Sequence, residues 1–139
     1  MNMHTTDIDV TALFNKGIEE QKTGNLDTAI KIYDEIINIK PNHCKSLHNK
    51  ACVLVLQNEL IDALKAFEGA LNLNPNVGLY WINYIKTLVG LDRIAEAKAL
   101  IVASKTSGLF CKDMKALSLK IDKEHREPSP QTTSEIDEL

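Results

Sequence analysis

Residues 40–76 read KPNHCKSLHNKACVLVLQNELIDALKAFEGALNLNPN and contain two prolines, Pro41 and Pro75, which lie thirty-four residues apart and are each followed by asparagine. Between them, the segments CKSLHNKACVLVLQ and LIDALKAFEGALNL carry apolar residues at helical spacing, and Asn58-Glu59 separates the two. Proline disfavours helical geometry in the residue before it, so each proline is expected to end a helix. The stretch therefore predicts a pair of helices joined by a short turn, and the recurring Pro-Asn predicts that the pair is repeated.

The thirty-four-residue offset holds over three copies without a gap. Six columns keep their physical character: Ala29, Ala63 and Ala97; Leu26, Leu60 and Ile94; Tyr33, Phe67 and Ile101; Asn15, Asn49 and Asn83; Leu13, Leu47 and Trp81; and Gly24, Asn58 and Asp92. The last column holds the three residue types that best tolerate a left-handed backbone, which predicts a turn between the helices of every copy. The third copy lacks the closing proline and is expected to end at Ser107-Gly108, where glycine can cap a helix.

These columns resemble the tetratricopeptide repeat, a helix–turn–helix unit of thirty-four residues. The resemblance covers residues 10–108 and implies an all-α fold: a right-handed superhelix of three helix pairs, with repeats at 10–43, 44–77 and 78–108. The family's small-residue positions correspond to Gly17, Ala29 and Ile36, to Ala51, Ala63 and Ala70, and to Ile85, Ala97 and Ser104. Because Ile36, Ile85, Ile101 and Leu109 depart from the family pattern, looser or shifted packing is expected in the third copy.

The two ends of the chain differ from the repeats. Residues 1–9 are expected to form a short N-terminal extension. Residues 109–126 carry apolar residues at helical spacing and predict a seventh helix, since an open stack of repeats needs a cap over its last apolar face. Residues 127–139 contain two prolines, four acids and no base, which predicts a disordered acidic tail.

Composition narrows the classes of function. The chain has 139 residues, 44% of them hydrophobic, and a net charge of −3, so no basic field favours nucleic acid or an anionic membrane. Its start resembles no signal peptide, and no apolar run is long enough to span a membrane. Three cysteines without framework spacing suit a reducing compartment. The expected protein is cytoplasmic, a monomer or weak homo-oligomer, and binds neither nucleic acid nor membrane.

Catalytic and metal-binding patterns are weak. The four histidines are scattered, and the sequence has no glycine-rich phosphate loop and no His-Glu-x-x-His motif, so we expect no enzyme activity and no cofactor. Cys44, His48 and Cys52 follow one helical face at spacings of four residues. Eight residues of helix span about 12 Å, too far for one ion to bind all three side chains. The prediction is therefore that these residues pack and that no metal binds.

The family resemblance also implies a site, because the first helix of each pair lines the concave side of the superhelix. The residues predicted to form a partner-binding groove are Phe14, Asn15, Ile18, Lys45, His48, Asn49, Cys52, Leu79, Ile82, Asn83 and Lys86. A side-chain amide complements the donors and acceptors of a peptide backbone, so the asparagine column can grip an extended chain whatever its sequence. The alternative is that these asparagines only bond neighbouring helices to one another.

A second groove chemistry of the family can be tested on the sequence. Members that hold the C-terminal carboxylate of heat-shock chaperones use a five-residue clamp of basic and amide side chains, whose positions here hold Phe14, Ile18, Asn49, Leu79 and Asn83. Only Asn49 matches, and no cation is left to pair with a carboxylate. The sequence therefore predicts a non-catalytic adaptor that binds an unidentified protein or peptide, but not through this clamp. Two alternatives are a self-associating structural module and an accessory subunit of a glycosyl- or sulfotransferase.

Overall fold

The structure is a computed structural model that describes residues 3–126, with side chains from residue 10 onward. Seven helices form within this range: α1 (Met3–Lys22), α2 (Leu26–Ile39), α3 (Cys44–Leu56), α4 (Leu60–Leu73), α5 (Gly78–Gly90), α6 (Ile94–Thr106) and α7 (Lys112–Glu124). Helices α1 to α6 pack as three consecutive pairs, and α7 packs on α5 and α6. The predicted all-α architecture of three helix pairs and a cap helix is confirmed.

The structure bears on the predicted N-terminal extension but not on the predicted C-terminal tail. Helix α1 begins at Met3 and so runs through most of the predicted extension over residues 1–9. The predicted acidic tail over residues 127–139 lies outside the described residues. Among the helices of residues 3–126, none combines the length and apolar character needed to cross a membrane.

The turn column adopts the predicted left-handed backbone. Four residues that follow a first helix or α6 have positive φ: Gly24 at 85°, Asn58 at 61°, Asp92 at 59° and Gly108 at 74°. In each case the next residue donates its backbone N–H to the carbonyl five residues earlier, at N···O distances of 2.8 or 2.9 Å. This 6→1 bond is the mark of a Schellman cap. The same local chemistry therefore ends α1, α3, α5 and α6, and fixes where each following helix begins.

Helices α2 and α4 end differently, because a proline follows. They stop at Ile39 and Leu73, two residues before Pro41 and Pro75. The residues between, Lys40 and Asn74, have φ of −130° and −144°, which is non-helical. Sterics of the proline ring impose this conformation on the preceding residue.

Packing inside each helix pair depends on two facing residues, one on each helix, whose sizes compensate for each other. From the first repeat to the third, the residue on the first helix becomes larger and the residue on the second helix becomes smaller. Gly17 faces Tyr33, Ala51 shares a core cluster with Phe67, and Ile85 shares one with Ile101. The pairs fill similar space because glycine, alanine and isoleucine are matched with tyrosine, phenylalanine and isoleucine. Ile85 and Ile101 are only 0% and 4% exposed. The loosening expected for the third copy is therefore not observed at these positions.

The cap helix completes the core at the C-terminal end. Met114 and Ile121 are fully buried and pack in one cluster with Ile85, Leu88 and Ile101 of the third pair. Helix α7 thus covers the apolar face that a fourth repeat would otherwise bury. Its position also creates the groove described below.

Candidate peptide-binding groove

Helices α1, α3, α5 and α7 each contact the next one in this series, so they form one continuous wall, which we call the inner wall. Helices α2, α4 and α6 lie behind it, each in contact with the first helix of its own pair and with the helix that follows it. The residues predicted for the groove all belong to α1, α3 and α5 of this wall. Local helix pairing therefore decides which side chains can meet a ligand.

A depression on the inner wall lies between α5 and α7 and is named here the C-terminal groove. It has a volume of about 710 Å³. Four of the predicted site residues, Leu79, Ile82, Asn83 and Lys86, line it, together with Val89, Gly90, Asp113, Ala116, Leu117, Lys120, Ile121 and Glu124. Ile82 is almost fully buried and forms part of the floor, while Leu79 stands 54% exposed at the edge. The groove thus offers an apolar surface with charges around it.

The contribution of α7 to this groove was missed by the sequence prediction, which treated the helix only as a cap. Asp113, Ala116, Lys120 and Glu124 follow spacings of three and four residues, so they share one face of α7. This face adjoins the buried stripe of Met114 and Ile121 and is mostly polar. This second face of α7, next to the buried one, was the sequence signal that could have identified these residues as part of the site.

A smaller depression, the middle groove, lies between α3 and α5 and has a volume of about 270 Å³. It is lined by Cys52, Val55, Leu60, Phe67, Asn83, Lys86, Thr87 and Gly90. Asn83, Lys86 and Gly90 line both grooves, so the two adjoin along α5. A single ligand lying across α5 would meet both.

Asn83 is anchored to the preceding repeat through His48. The amide nitrogen Nδ2 lies 2.8 Å from His48 Nε2, so the amide donates to an unprotonated ring nitrogen. The His48 ring is buried, stacks on Tyr80 with centroids 4.6 Å apart, and lies 5.5 Å from Phe67. Burial lowers the pKa of His48 below its usual value, with an opposing hydrogen bond from Asn49. His48 therefore acts as a neutral residue that packs and positions Asn83. It was predicted to line the groove, but its side chain is buried.

Asn49 acts on the pKa values of two neighbouring side chains, Tyr33 and His48. Tyr33 donates its hydroxyl hydrogen to Gln21 Oε1 at 2.8 Å, and its pKa is raised by burial and lowered in part by a hydrogen bond with Asn49. In the next repeat the tyrosine column holds Phe67, which has no hydroxyl, and Asn83 bonds to His48 instead. The asparagines at the two repeat junctions are thus used between helices.

The asparagine column is consequently not a row of three equivalent side chains. Asn15 is exposed, whereas Asn49 and Asn83 are half-buried. This geometry supports the alternative in which the column bonds neighbouring helices. Asn83 nonetheless keeps its amide oxygen for a ligand, since only Nδ2 faces His48.

The predicted residues at the N-terminal end of the wall lie apart from the two grooves. The half-buried Phe14 ring packs edge-on against His43, with centroids 5.4 Å apart, and so fills the joint between α1 and α3. His43 caps α3, because its Nδ1 accepts the Ser46 backbone N–H at 3.3 Å. Ile18 is half-buried and Lys45 exposed. Neither groove includes these residues or Asn15 and Asn49.

Cys52 has the environment of a packing residue. Its sulfur lies 3.8 Å from His48 Nε2, and burial raises the pKa of the thiol to about 11. A thiol is therefore the dominant form at neutral pH, and it is a poor nucleophile and metal ligand. Cys44 Sγ instead contacts the Asn42 carbonyl oxygen at 3.6 Å. Within the described part of the chain, no three His, Cys, Asp or Glu side chains group as a metal site would require.

Comparison with known proteins places the fold. A family model described as tetratricopeptide repeat matches residues 10–43. The fold is that of a tetratricopeptide-repeat domain. The TPR2B-domain:pHsp70 complex of yeast Sti1 superposes with a TM-score of 0.76 at 18% identity, covering 85% of this chain and 99% of that one. The first tetratricopeptide-repeat domain of Spaghetti (RPAP3), bound to the HSP90 peptide SRMEEVD, gives 0.75 at 19% identity, covering 85% and 96%. No curated protein sequence matches the chain.

The two similar structures are complexes with pHsp70 and with an HSP90 peptide, whereas the five positions of the carboxylate clamp hold no cation in this chain. Phe14 and Ile18 are half-buried apolar residues at two clamp positions, and Leu79 is an exposed apolar residue at a third. The identities of 18% and 19% show a shared fold. What the groove binds must therefore be argued from its own side chains.

Proposed function

We propose that this protein is a non-catalytic adaptor, which binds a segment of a partner protein across the C-terminal and middle grooves. The observation that carries the proposal is that the two grooves adjoin at Asn83 and Lys86 on one helix, α5. Together they make a continuous surface with an apolar floor and few polar groups, the usual character of a peptide-binding cleft.

The affinity comes from apolar side chains that are still exposed. Leu79 is 54% exposed at the C-terminal groove, and Val55 is 38% exposed at the middle groove. Burying such side chains fully contributes about 1–2 kcal/mol each. With only two or three anchors of this kind, and with the entropy cost of association, we expect dissociation constants in the micromolar range.

Polar groups on α5 supply orientation. The Asn83 amide oxygen can accept a backbone N–H of the ligand, because its nitrogen is already held by His48. Lys86 lines both grooves and lies within reach of any acidic side chain that the ligand carries. These features favour an extended or helical segment that presents apolar residues beside acidic ones.

The test selects peptides from a displayed random library on the full chain and then measures their dissociation constants by fluorescence anisotropy. Leu79→Asp is expected to weaken binding at least tenfold, because it places a charge at an apolar anchor. Leu119→Asp is the matched control, since Leu119 is 61% exposed on α7 but lines neither groove. Equal affinities of the two variants for the selected peptides, or a selection that enriches no peptide, would overturn the proposal.

A further inference from the structure

We infer that residues 127–139 of this same chain dock in the C-terminal groove and compete there with a partner's segment. The inference rests on the proposed function, because it assigns a first occupant to the same groove. Three features of the molecule support it: where the segment starts, its charge and its apolar residues.

The segment starts beside the groove. Helix α7 ends at Glu124, which lines the C-terminal groove, and the described chain ends two residues later at Arg126. Thirteen extended residues reach about 43 Å. The groove wall on α5, from Leu79 to Gly90, is only about 17 Å long at the rise of a helix. The segment is therefore long enough to turn back and lie along the whole groove.

Two lysines of the C-terminal groove can pair with carboxylates of the segment. The residues predicted for the groove on α1, α3 and α5 include two cations, Lys45 and Lys86, and no carboxylate. Helix α7 adds Lys120 to the C-terminal groove, beside Asp113 and Glu124. Within the described residues, neither Lys86 nor Lys120 forms a salt bridge. Both ammonium groups are thus available to an acidic segment.

Residues 127–139 have the matching composition. Their charged side chains are all acidic: Glu127, Glu135, Asp137 and Glu138. Their two large apolar side chains, Ile136 and Leu139, stand among the last three of these acids. Ile136 and Leu139 fit the apolar floor of the groove, and the acids beside them can pair with Lys86 and Lys120, while Asp113 and Glu124 line the same groove. The same pairing would be required of a partner's segment, so the two occupants exclude each other.

The expected strength of the competition follows from the tether. A short linker gives an effective concentration on the order of 1 mM. If the untethered segment binds with a dissociation constant of about 100 µM, the groove is about nine-tenths occupied in the free protein. An added peptide then binds the wild-type chain about tenfold more weakly than a chain whose own segment cannot dock.

The first experiment compares amide spectra of the full wild-type chain with those of a full chain carrying Ile136→Asp and Leu139→Asp. Docking predicts shifts at Leu79, Lys86 and Lys120. The matched control carries Thr132→Asp and Thr133→Asp, which add the same charge to the segment without touching its apolar side chains. Spectra that change only around the substituted residues would overturn the inference.

The second experiment titrates a synthetic peptide of residues 127–139 into both full-length proteins. The inference requires binding to the Ile136→Asp, Leu139→Asp chain and about tenfold weaker binding to wild type. Equal affinity contradicts it, and shifts in the wild-type spectrum that grow with protein concentration would assign the segment to the groove of a second copy instead. If neither protein binds this peptide while library-selected peptides still bind, only this inference fails. If no peptide of either kind binds, the proposed function fails as well.

Discussion

Replacing a helical glycine by alanine tests how closely α1 and α2 pack, if the same change is made at Gly17 and at Gly69. A Cβ atom added to Gly17 would lie 2.7 Å from Tyr33 Cε1, closer than real contacts allow. A Cβ atom added to Gly69 in α4 would meet only the Leu47 methyl groups, at 3.6 and 3.8 Å, which is ordinary van der Waals contact. Both glycines lie inside helices. Gly17→Ala and Gly69→Ala therefore differ mainly in the space available.

The two substitutions are expected to change the free energy of unfolding in opposite directions. Each substitution gains about 1 kcal/mol from helix propensity. At Gly17 the overlap cannot be relieved cheaply, because Tyr33 is fully buried and its hydroxyl is bonded to Gln21. Overpacking of this kind costs about 1–3 kcal/mol. The free energy of unfolding should therefore rise by about 1 kcal/mol for Gly69→Ala and fall by up to about 2 kcal/mol for Gly17→Ala.

Urea unfolding followed by far-ultraviolet circular dichroism measures both values, provided that the slope of the free energy against urea stays constant. A cycle with Tyr33→Phe adds a check, since removing the hydroxyl frees the ring from Gln21 and recreates the alanine–phenylalanine pair of the second repeat. The cost of Gly17→Ala should be smaller in that background. The packing argument is refuted if Gly17→Ala stabilises the protein as much as Gly69→Ala does.

Three further outcomes are expected. Burial lowers the pKa values of His43 and His48, so the folded protein binds fewer protons than the unfolded chain in acid. Stability should be fully present above about pH 6.5 and decline as the pH falls through the folded-state values, and a flat profile from pH 7.5 to 5 would contradict this. Iodoacetamide at pH 7.5 should modify the exposed Cys111 well before Cys52, whose thiol pKa is about 11, and equal rates measured by mass spectrometry would count against burial of Cys52. At the left-handed turn residue Asn58, valine should lower the free energy of unfolding by about 1–2 kcal/mol while glycine causes no loss, and equal melting temperatures would exclude the strain.

The fold was predictable because its determinants are local. Glycine, asparagine and aspartate at Gly24, Asn58 and Asp92 favour positive φ through their own chemistry, and proline acts on the residue before it. These effects need only a few neighbouring residues. A thirty-four-residue spacing of such signals therefore determines both the helix boundaries and the pairing of helices.

The site was only partly predictable, because its details depend on contacts between repeats. Leu79 and Lys86 could be placed on the inner wall by their position in the repeat. The bond between Asn83 and His48 joins two repeats, at a place where Phe67 has no hydroxyl in the column that holds Tyr33 one repeat earlier. The α7 side of the groove depends on how the cap helix is rotated about its axis, which Met114 and Ile121 decide by packing on the third pair. No spacing rule along one segment contains that information.

Because the facing residues of each helix pair compensate for each other in size, helices of different repeats cannot be recombined freely. Joining α5 to α2 would set Ile85 against the Tyr33 ring, whereas α1 joined to α6 would leave a void between Gly17 and Ile101. A stack of this kind can be lengthened by duplicating a whole hairpin, but a crossover inside a hairpin produces a misfit on one product and a hole in the other.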